Sequence, residues 1–89
     1  MRLITKEKYD KLNSTYEHIM SIYYAACSAD GDEEVWGSAY DIIFDGGYCK
    51  MVTDCVPNFD WYDPDASYQD DVCAFVWNLE ELMKDIKVI

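Results

Sequence analysis

The chain has 89 residues, enough for one domain over residues 1–89, and its 18 acids against 7 bases give a net charge of −11. This balance disfavours direct nucleic-acid binding, because backbone phosphates are contacted through Lys and Arg. Three Trp, eight Tyr and three Phe also argue against a disordered acidic chain. We therefore expect one folded domain.

Two long segments have the apolar spacing of an amphipathic helix. Residues 5–28 begin with Thr5 as a candidate N-cap, and residues 67–87 begin with Ser67 in the same role. In both segments apolar side chains recur every three or four residues, which places them on one face. The sequence therefore predicts a long helix near each end of the chain.

The part of the chain between these helices has two interpretations. Residues 32–45 resemble a helix that opens with three acids and stops at Gly46-Gly47, and residues 48–56 fit a short helix. The alternative is a hairpin at residues 40–52, since an Asp-Gly pair there separates two apolar runs. We favour helices, so the predicted fold is all-α, a small three- to four-helix bundle. The alternative is an α+β fold with the hairpin.

The cysteines and the distribution of apolar residues predict the compartment. No leader-like apolar region occurs in residues 1–20, and no run approaches the ~18 apolar residues of a membrane span. We therefore expect a cytoplasmic protein without a membrane partner. In that compartment the four cysteines should be free thiols that are at least partly buried, whereas secretion would favour two disulfides. They are Cys27, Cys49, Cys55 and Cys73.

No pattern in the sequence predicts a cofactor, a metal site or an enzyme. His18 is the only histidine, and the cysteines lack the close pairs of a structural zinc site. Asp30, Asp32 and Glu34 alternate as in a calcium-binding EF-hand loop, but Val35 stands where that loop needs glycine. We therefore expect a non-enzyme without cofactor or metal.

The net charge is concentrated in the middle of the chain. From Asp30 to Asp71 there are twelve acids and a single base, Lys50, so this segment alone carries −11. Ordinary surfaces mix both signs, and concentrated like charge opposes folding. Because DNA carries one charge per ~1.7 Å, a face of carboxylates approaches its charge density. The segment therefore predicts a basic protein as partner.

Aromatic side chains lie among these acids, in a predicted loop over residues 58–65 and at the start of the last helix. Tyr and Trp are frequent in interface hot spots, and aromatic rings stack on guanidinium groups. For Trp61, burial at the end of the bundle is an equal alternative. The candidate partner-binding residues are Asp30, Asp41, Asp45, Asp54, Asp60, Trp61, Tyr62, Asp63, Asp65 and Tyr68.

The small size, the acid count and the Asp/Tyr/Trp mixture of residues 54–71 resemble phage-encoded DNA-mimic inhibitors, which include many anti-CRISPR proteins. This resemblance covers composition and no alignable motif. It implies an inhibitor that blocks the nucleic-acid site of a basic nucleic-acid-handling protein, such as a CRISPR effector, in the host-cell cytoplasm.

Two alternative functions stay open. The chain is also similar to immunity proteins of nuclease toxins, which use acids with paired tyrosines. The adjacent pair here, Tyr23 and Tyr24, lies outside the acidic segment. The second alternative is a non-inhibitory adaptor domain that recruits a helix through an apolar face.

Overall fold

A computed structural model describes residues 2–29, 31–57, 59 and 67–89. The described residues form four helices: α1 (Lys6–Cys27), α2 (Glu33–Tyr40), α3 (Tyr48–Cys55) and α4 (Tyr68–Asp85). A π-helical turn, Asp41–Asp45, continues α2, and two short strands, β1 (Arg2–Ile4) and β2 (Ile86–Val88), flank the helices. The predicted small helical bundle is confirmed. None of the helices within the described ranges combines the length and apolarity needed to cross a bilayer.

Side-chain caps determine where three of the helices begin. The Thr5 hydroxyl accepts a hydrogen bond from the backbone N–H three residues on, at 3.3 Å, and the Ser67 hydroxyl does the same at 3.1 Å. Both predicted N-caps are confirmed. At α2 the cap is Asp32, whose carboxylate accepts the backbone N–H of Glu34 at 2.9 Å. Asp32 therefore precedes the helix instead of lying in its first turn.

The chain between α2 and α3, which the structure describes in full, forms the π-helical turn and a two-glycine bend and no strand, so the alternative hairpin at residues 40–52 is wrong. The Gly46 N–H donates to the carbonyl oxygen of Asp41 at 2.9 Å, which is the five-residue spacing of a π-helix. A Cβ on Gly46 would collide with the backbone carbonyl oxygen of Ile42. Gly47 then has a φ of 94°, a left-handed conformation that favours glycine, and it is the residue from which α3 begins.

The hydrophobic core lies where the four helices meet. Phe75 of α4 is fully buried, and its ring is edge-on to those of Phe44 and Phe59, with centroids 5.3 Å and 6.0 Å away. Burial of one such side chain is worth about 1.5–3 kcal/mol. The other large, fully buried side chains are Leu12, Ile19, Ile43, Leu79, Val52, Val72 and Val76.

The two strands form a parallel pair that the sequence did not predict. Ile4 of β1 pairs with Val88 of β2, and the Ile89 N–H donates to the Ile4 carbonyl oxygen at 3.0 Å. The last helix was expected to reach residue 87, but it ends at Asp85. Ile86 adopts an extended backbone, with φ −83° and ψ 138°, because it enters this ladder.

Candidate partner-binding site

Most of the described carboxylates of the central segment are exposed and form no ion pair within the described ranges, whereas several acids of the flanks are paired. On the flanks, Lys6 pairs with Asp10 at 3.2 Å and Lys84 pairs with Glu81 at 3.5 Å. Six central acids are exposed and, in the part of the chain that the structure describes, form no ion pair: Asp32, Glu33, Glu34, Asp41, Asp45 and Asp70. Among the described residues, most of the ion pairs therefore lie on the flanks, and these six central carboxylates keep their charge without one.

Four of the predicted partner-binding residues lie within the described ranges. Asp41 and Asp45 are exposed on the π-helical turn, and Tyr68 begins α4. Asp54, on α3, lies 3.5 Å from the ammonium group of Lys50, the only base of the segment. The other predicted residues lie outside the described residues: Asp30, Asp60, Trp61, Tyr62, Asp63 and Asp65.

A cavity of about 400 Å³ lies between α2 and the first turn of α4. Helix α2 contributes Glu33, Trp36 and Tyr40, whose spacing places them on one face, and α4 contributes Tyr68 and Asp71. We call these five residues the aromatic cage. Of the predicted residues, the structure brings Tyr68 into this cage. The cavity is not lined by Asp41, Asp45 or Asp54.

Tyr68 forms one wall of the cage because it packs across α2. Its ring centroid is 5.0 Å from that of Tyr40, and the two rings are tilted by 50°. The ring also lies 3.4 Å from the position that a Cβ on Gly37 would occupy, which is an ordinary van der Waals distance, so the ring packs closely on the helix. Tyr68 is nevertheless 54% exposed. It therefore contacts α2 and also presents ring surface to a partner.

Two buried polar residues line the cage, Asp71 from α4 and Trp36 from α2. Asp71 is only 5% exposed. Trp36 is 3% exposed, and among the described residues its indole N–H has no hydrogen-bond partner. A buried donor without an acceptor costs about 1–3 kcal/mol. An acceptor brought by a ligand would recover this free energy.

A second cavity, of about 640 Å³, adjoins the cage at Trp36. Tyr23 and Cys27, one turn apart on α1, line it together with Cys73 and Trp77, one turn apart on α4. Burial, and then the neighbouring Cys27 thiol, raise the pKa of Tyr23 to about 12. Trp77 is 59% exposed. The aromatic surface therefore continues from the cage towards α1.

The cysteines differ in exposure, and one differs from the prediction. All four are free; Cys55 is buried and Cys49 and Cys73 are half-buried, but Cys27 is exposed because it ends α1. The expectation that every thiol is at least partly buried is therefore wrong for Cys27. Burial raises the pKa of the Cys49, Cys55 and Cys73 thiols, which keeps them protonated and weakly nucleophilic at neutral pH.

The arrangement is suited to recognition of a cation. His18 and Cys27 lie nine residues apart on α1, about 13 Å along the axis and on opposite faces, so they do not form a catalytic pair. Within the described ranges no three His, Cys, Asp or Glu side chains cluster as metal ligands. Aromatic rings next to carboxylates attract ammonium and guanidinium groups.

Most of the cage is not visible in the sequence pattern. The pattern places Trp36 in the apolar stripe of its helix and assigns Glu33 and Asp71 to helix N-terminal turns. The one available signal is the position of Glu33 on the same face as Trp36 and Tyr40. Comparisons of the chain with protein-family models, with curated proteins and with solved structures find no match.

Proposed function

We propose that the protein is a non-enzymatic inhibitor, which binds a basic nucleic-acid-handling protein and blocks its nucleic-acid site by mimicking the charge of DNA. Its specific form is a phage anti-CRISPR protein that acts on a CRISPR effector in the host cytoplasm. The observation that carries this proposal is the set of six exposed central carboxylates without an ion pair among the described residues. A surface of one sign matches a phosphate backbone better than it matches an ordinary mixed surface.

The charge distribution favours a mode of action through fast association. Complementary fields raise association rates by about 10- to 10³-fold. Salt shortens the range of this attraction, because the Debye length falls from ~10 Å at 0.1 M to ~3 Å at 1 M ionic strength. Inhibition by mimicry should therefore weaken steeply with salt, mainly through a slower association rate.

The test is plasmid interference in bacteria that each carry one defined CRISPR system, followed by DNA binding with the purified effector. We expect protection against at least one system and loss of DNA binding by that effector. Inhibition only of nuclease-toxin domains, assayed in parallel, would replace the proposal with the immunity function. If neither class is inhibited, or if inhibition is flat between low and high salt, charge mimicry is refuted.

A matched pair of variants separates the local field from the net charge. Asp41→Asn with Asp45→Asn removes two exposed central carboxylates that form no ion pair with a described residue, whereas Glu7→Gln with Asp10→Asn removes two paired ones on α1. Both variants lose two negative charges. We expect the central variant to slow association by about two- to tenfold and the flank variant to leave it nearly unchanged. Equal effects would show that only net charge matters.

A further inference from the structure

The lining of the aromatic cage selects a cation. Of the described residues around its cavity, three carry aromatic rings, two are acids and none is basic. The aromatic members are Trp36, Tyr40 and Tyr68, and the acids are Glu33 and Asp71. Ring faces and carboxylates attract a positive group and repel phosphates and carboxylates. An anionic or nucleotide ligand is therefore excluded.

Ring geometry favours a guanidinium over an ammonium group. The rings of Tyr40 and Tyr68 are 5.0 Å apart and tilted by 50°, so they pack against each other, and the exposed Tyr68 keeps ring surface open to a ligand. A planar guanidinium stacks on such a face while its N–H groups point outward in the plane towards a carboxylate, and it is more weakly hydrated than an ammonium group. Glu33 is exposed at the rim of the cavity and forms no ion pair among the described residues.

The unpaired indole N–H favours a ligand that also brings an acceptor. Trp36 is buried, lines the cage, and has no partner for this N–H among the described residues. A guanidinium group has five donors and no acceptor, so it leaves the indole unsatisfied. A main-chain carbonyl next to an arginine side chain supplies the acceptor. The ligand therefore combines a guanidinium and a peptide carbonyl.

We propose that the aromatic cage receives an arginine side chain presented by the protein partner, whose main chain accepts the Trp36 indole N–H. This inference rests on the proposed function for the nature of the partner, a basic protein. It deepens that function by assigning part of the recognition to one side chain, in addition to the long-range field of the carboxylates. Arginine is abundant in basic nucleic-acid channels, because it reads phosphates bidentately.

The experiment uses the whole protein labelled with ¹⁵N and a blocked tripeptide, acetyl-Gly-Arg-Gly-amide, as the probe. The indole N–H resonance of Trp36 is assigned with the Trp61→Phe and Trp77→Phe variants. We expect a saturable shift of this resonance with the arginine peptide and at least about tenfold weaker binding of the citrulline peptide, which has the same shape without charge. Equal binding of the two peptides, or a Trp36 resonance that does not move, overturns the proposal.

Two further probes test the source and kind of cation. A lysine peptide that binds as tightly as the arginine peptide would make the cage an ammonium site, and it would overturn the guanidinium assignment. Tighter binding of free arginine than of the blocked peptide would identify a small-molecule site and overturn the docking assignment. We expect both to bind more weakly than the blocked arginine peptide.

Matched variants keep the test independent of folding. Glu33→Gln and Glu34→Gln make the same change in the first turn of α2, but only Glu33 lines the cavity. Tyr68→Ala and Tyr24→Ala each remove an exposed ring, and only Tyr68 belongs to the cage. We expect Glu33→Gln and Tyr68→Ala to weaken peptide binding about three- to thirtyfold. The control variants, Glu34→Gln and Tyr24→Ala, should bind the peptide as the parent protein does. Equal losses within either pair overturn the proposal.

The peptide assay and the interference assay fail separately. If the parent protein inhibits no nucleic-acid enzyme but still binds the arginine peptide, the proposed function is refuted and the assignment of the cage as an arginine site stands. If the parent protein does not bind the peptide, and Glu33→Gln and Tyr68→Ala still inhibit the enzyme, the arginine assignment of the cage is refuted and the proposed function stands.

Discussion

Removal of the α4 cap should loosen the cage without changing any of its five residues. In Ser67→Ala the hydroxyl that accepts the Asp70 backbone N–H at 3.1 Å is lost. That turn of α4 carries Tyr68 and Asp71, so its opening moves one wall of the cage. Thr5→Ala is the matched control, because it removes an equivalent cap, at 3.3 Å, from the start of α1.

The expected loss of unfolding free energy in Ser67→Ala and Thr5→Ala follows from the solvent exposure of both capping residues. Neither removal buries an unsatisfied group, so each costs the ordinary N-cap free energy, about 1 kcal/mol. In a domain of this size that corresponds to a fall in Tm of about 4–8 °C. One kcal/mol also raises the open fraction of the first turn about fivefold. The two variants should therefore lose similar stability but open at different places.

Hydrogen exchange distinguishes the two openings. The Asp71 amide donates to the Ser67 carbonyl oxygen at 3.0 Å, and the Tyr9 amide donates to that of Thr5 at 2.9 Å. We expect about fivefold faster exchange at Asp71 in Ser67→Ala only, and at Tyr9 in Thr5→Ala only. Ser67→Asp, which restores an acceptor, should restore slow exchange. If Ser67→Ala leaves Asp71 exchange unchanged, or if Thr5→Ala accelerates it equally, the reasoning is refuted.

Other predictions concern glycines, thiols and pH. Gly46→Ala should lower the free energy of unfolding by about 1–3 kcal/mol, because its Cβ meets a backbone carbonyl. Gly37→Ala should raise the free energy of unfolding by up to about 1 kcal/mol, because alanine has the higher helix propensity. Urea unfolding that shows both variants stabilised, or both destabilised, would contradict this. A maleimide should modify Cys27 first and Cys55 last in the folded protein, and the reverse order by mass spectrometry would be inconsistent with their exposure. The pKa of Tyr23 rises from 10.0 to about 12 on folding, so its contribution to stability is complete below pH 10 and is lost as the pH rises to 12. Urea unfolding across that range, compared with Tyr23→Phe, would contradict this if the parent's stability fell no more than the variant's.

The two long helices were predictable because each carries its own signal. Thr5 and Ser67 combine a capping side chain with a long apolar stripe, and both signals lie within a few turns of sequence. The hairpin was a reasonable alternative because the Asp-Gly signal is local and takes no account of tertiary packing. Here Gly46 closes a π-helical turn and Gly47 begins another helix, an outcome that depends on packing of α3 against α1.

The cage was less predictable because it forms between helices. Periodicity relates residues of one helix, so it places Glu33 with Trp36, but it contains no information on the distance from α2 to Tyr68. Asp71 is a similar case: its position suggests a helix-dipole role, and only the packing of α4 buries it. The parallel strand pair is a further case, since three-residue strands from distant parts of the chain have no local periodicity.

This strand pair also affects the order of folding. β1 and β2 enclose all four helices in sequence, so their pairing closes a loop of nearly the whole chain. Closing so long a loop costs entropy that three residue pairs do not recover by themselves. We therefore expect the helices to pack before the two strands pair, so that strand pairing is a late step of refolding. On unfolding, we expect the strand pair to separate first and the helical bundle to unfold afterwards.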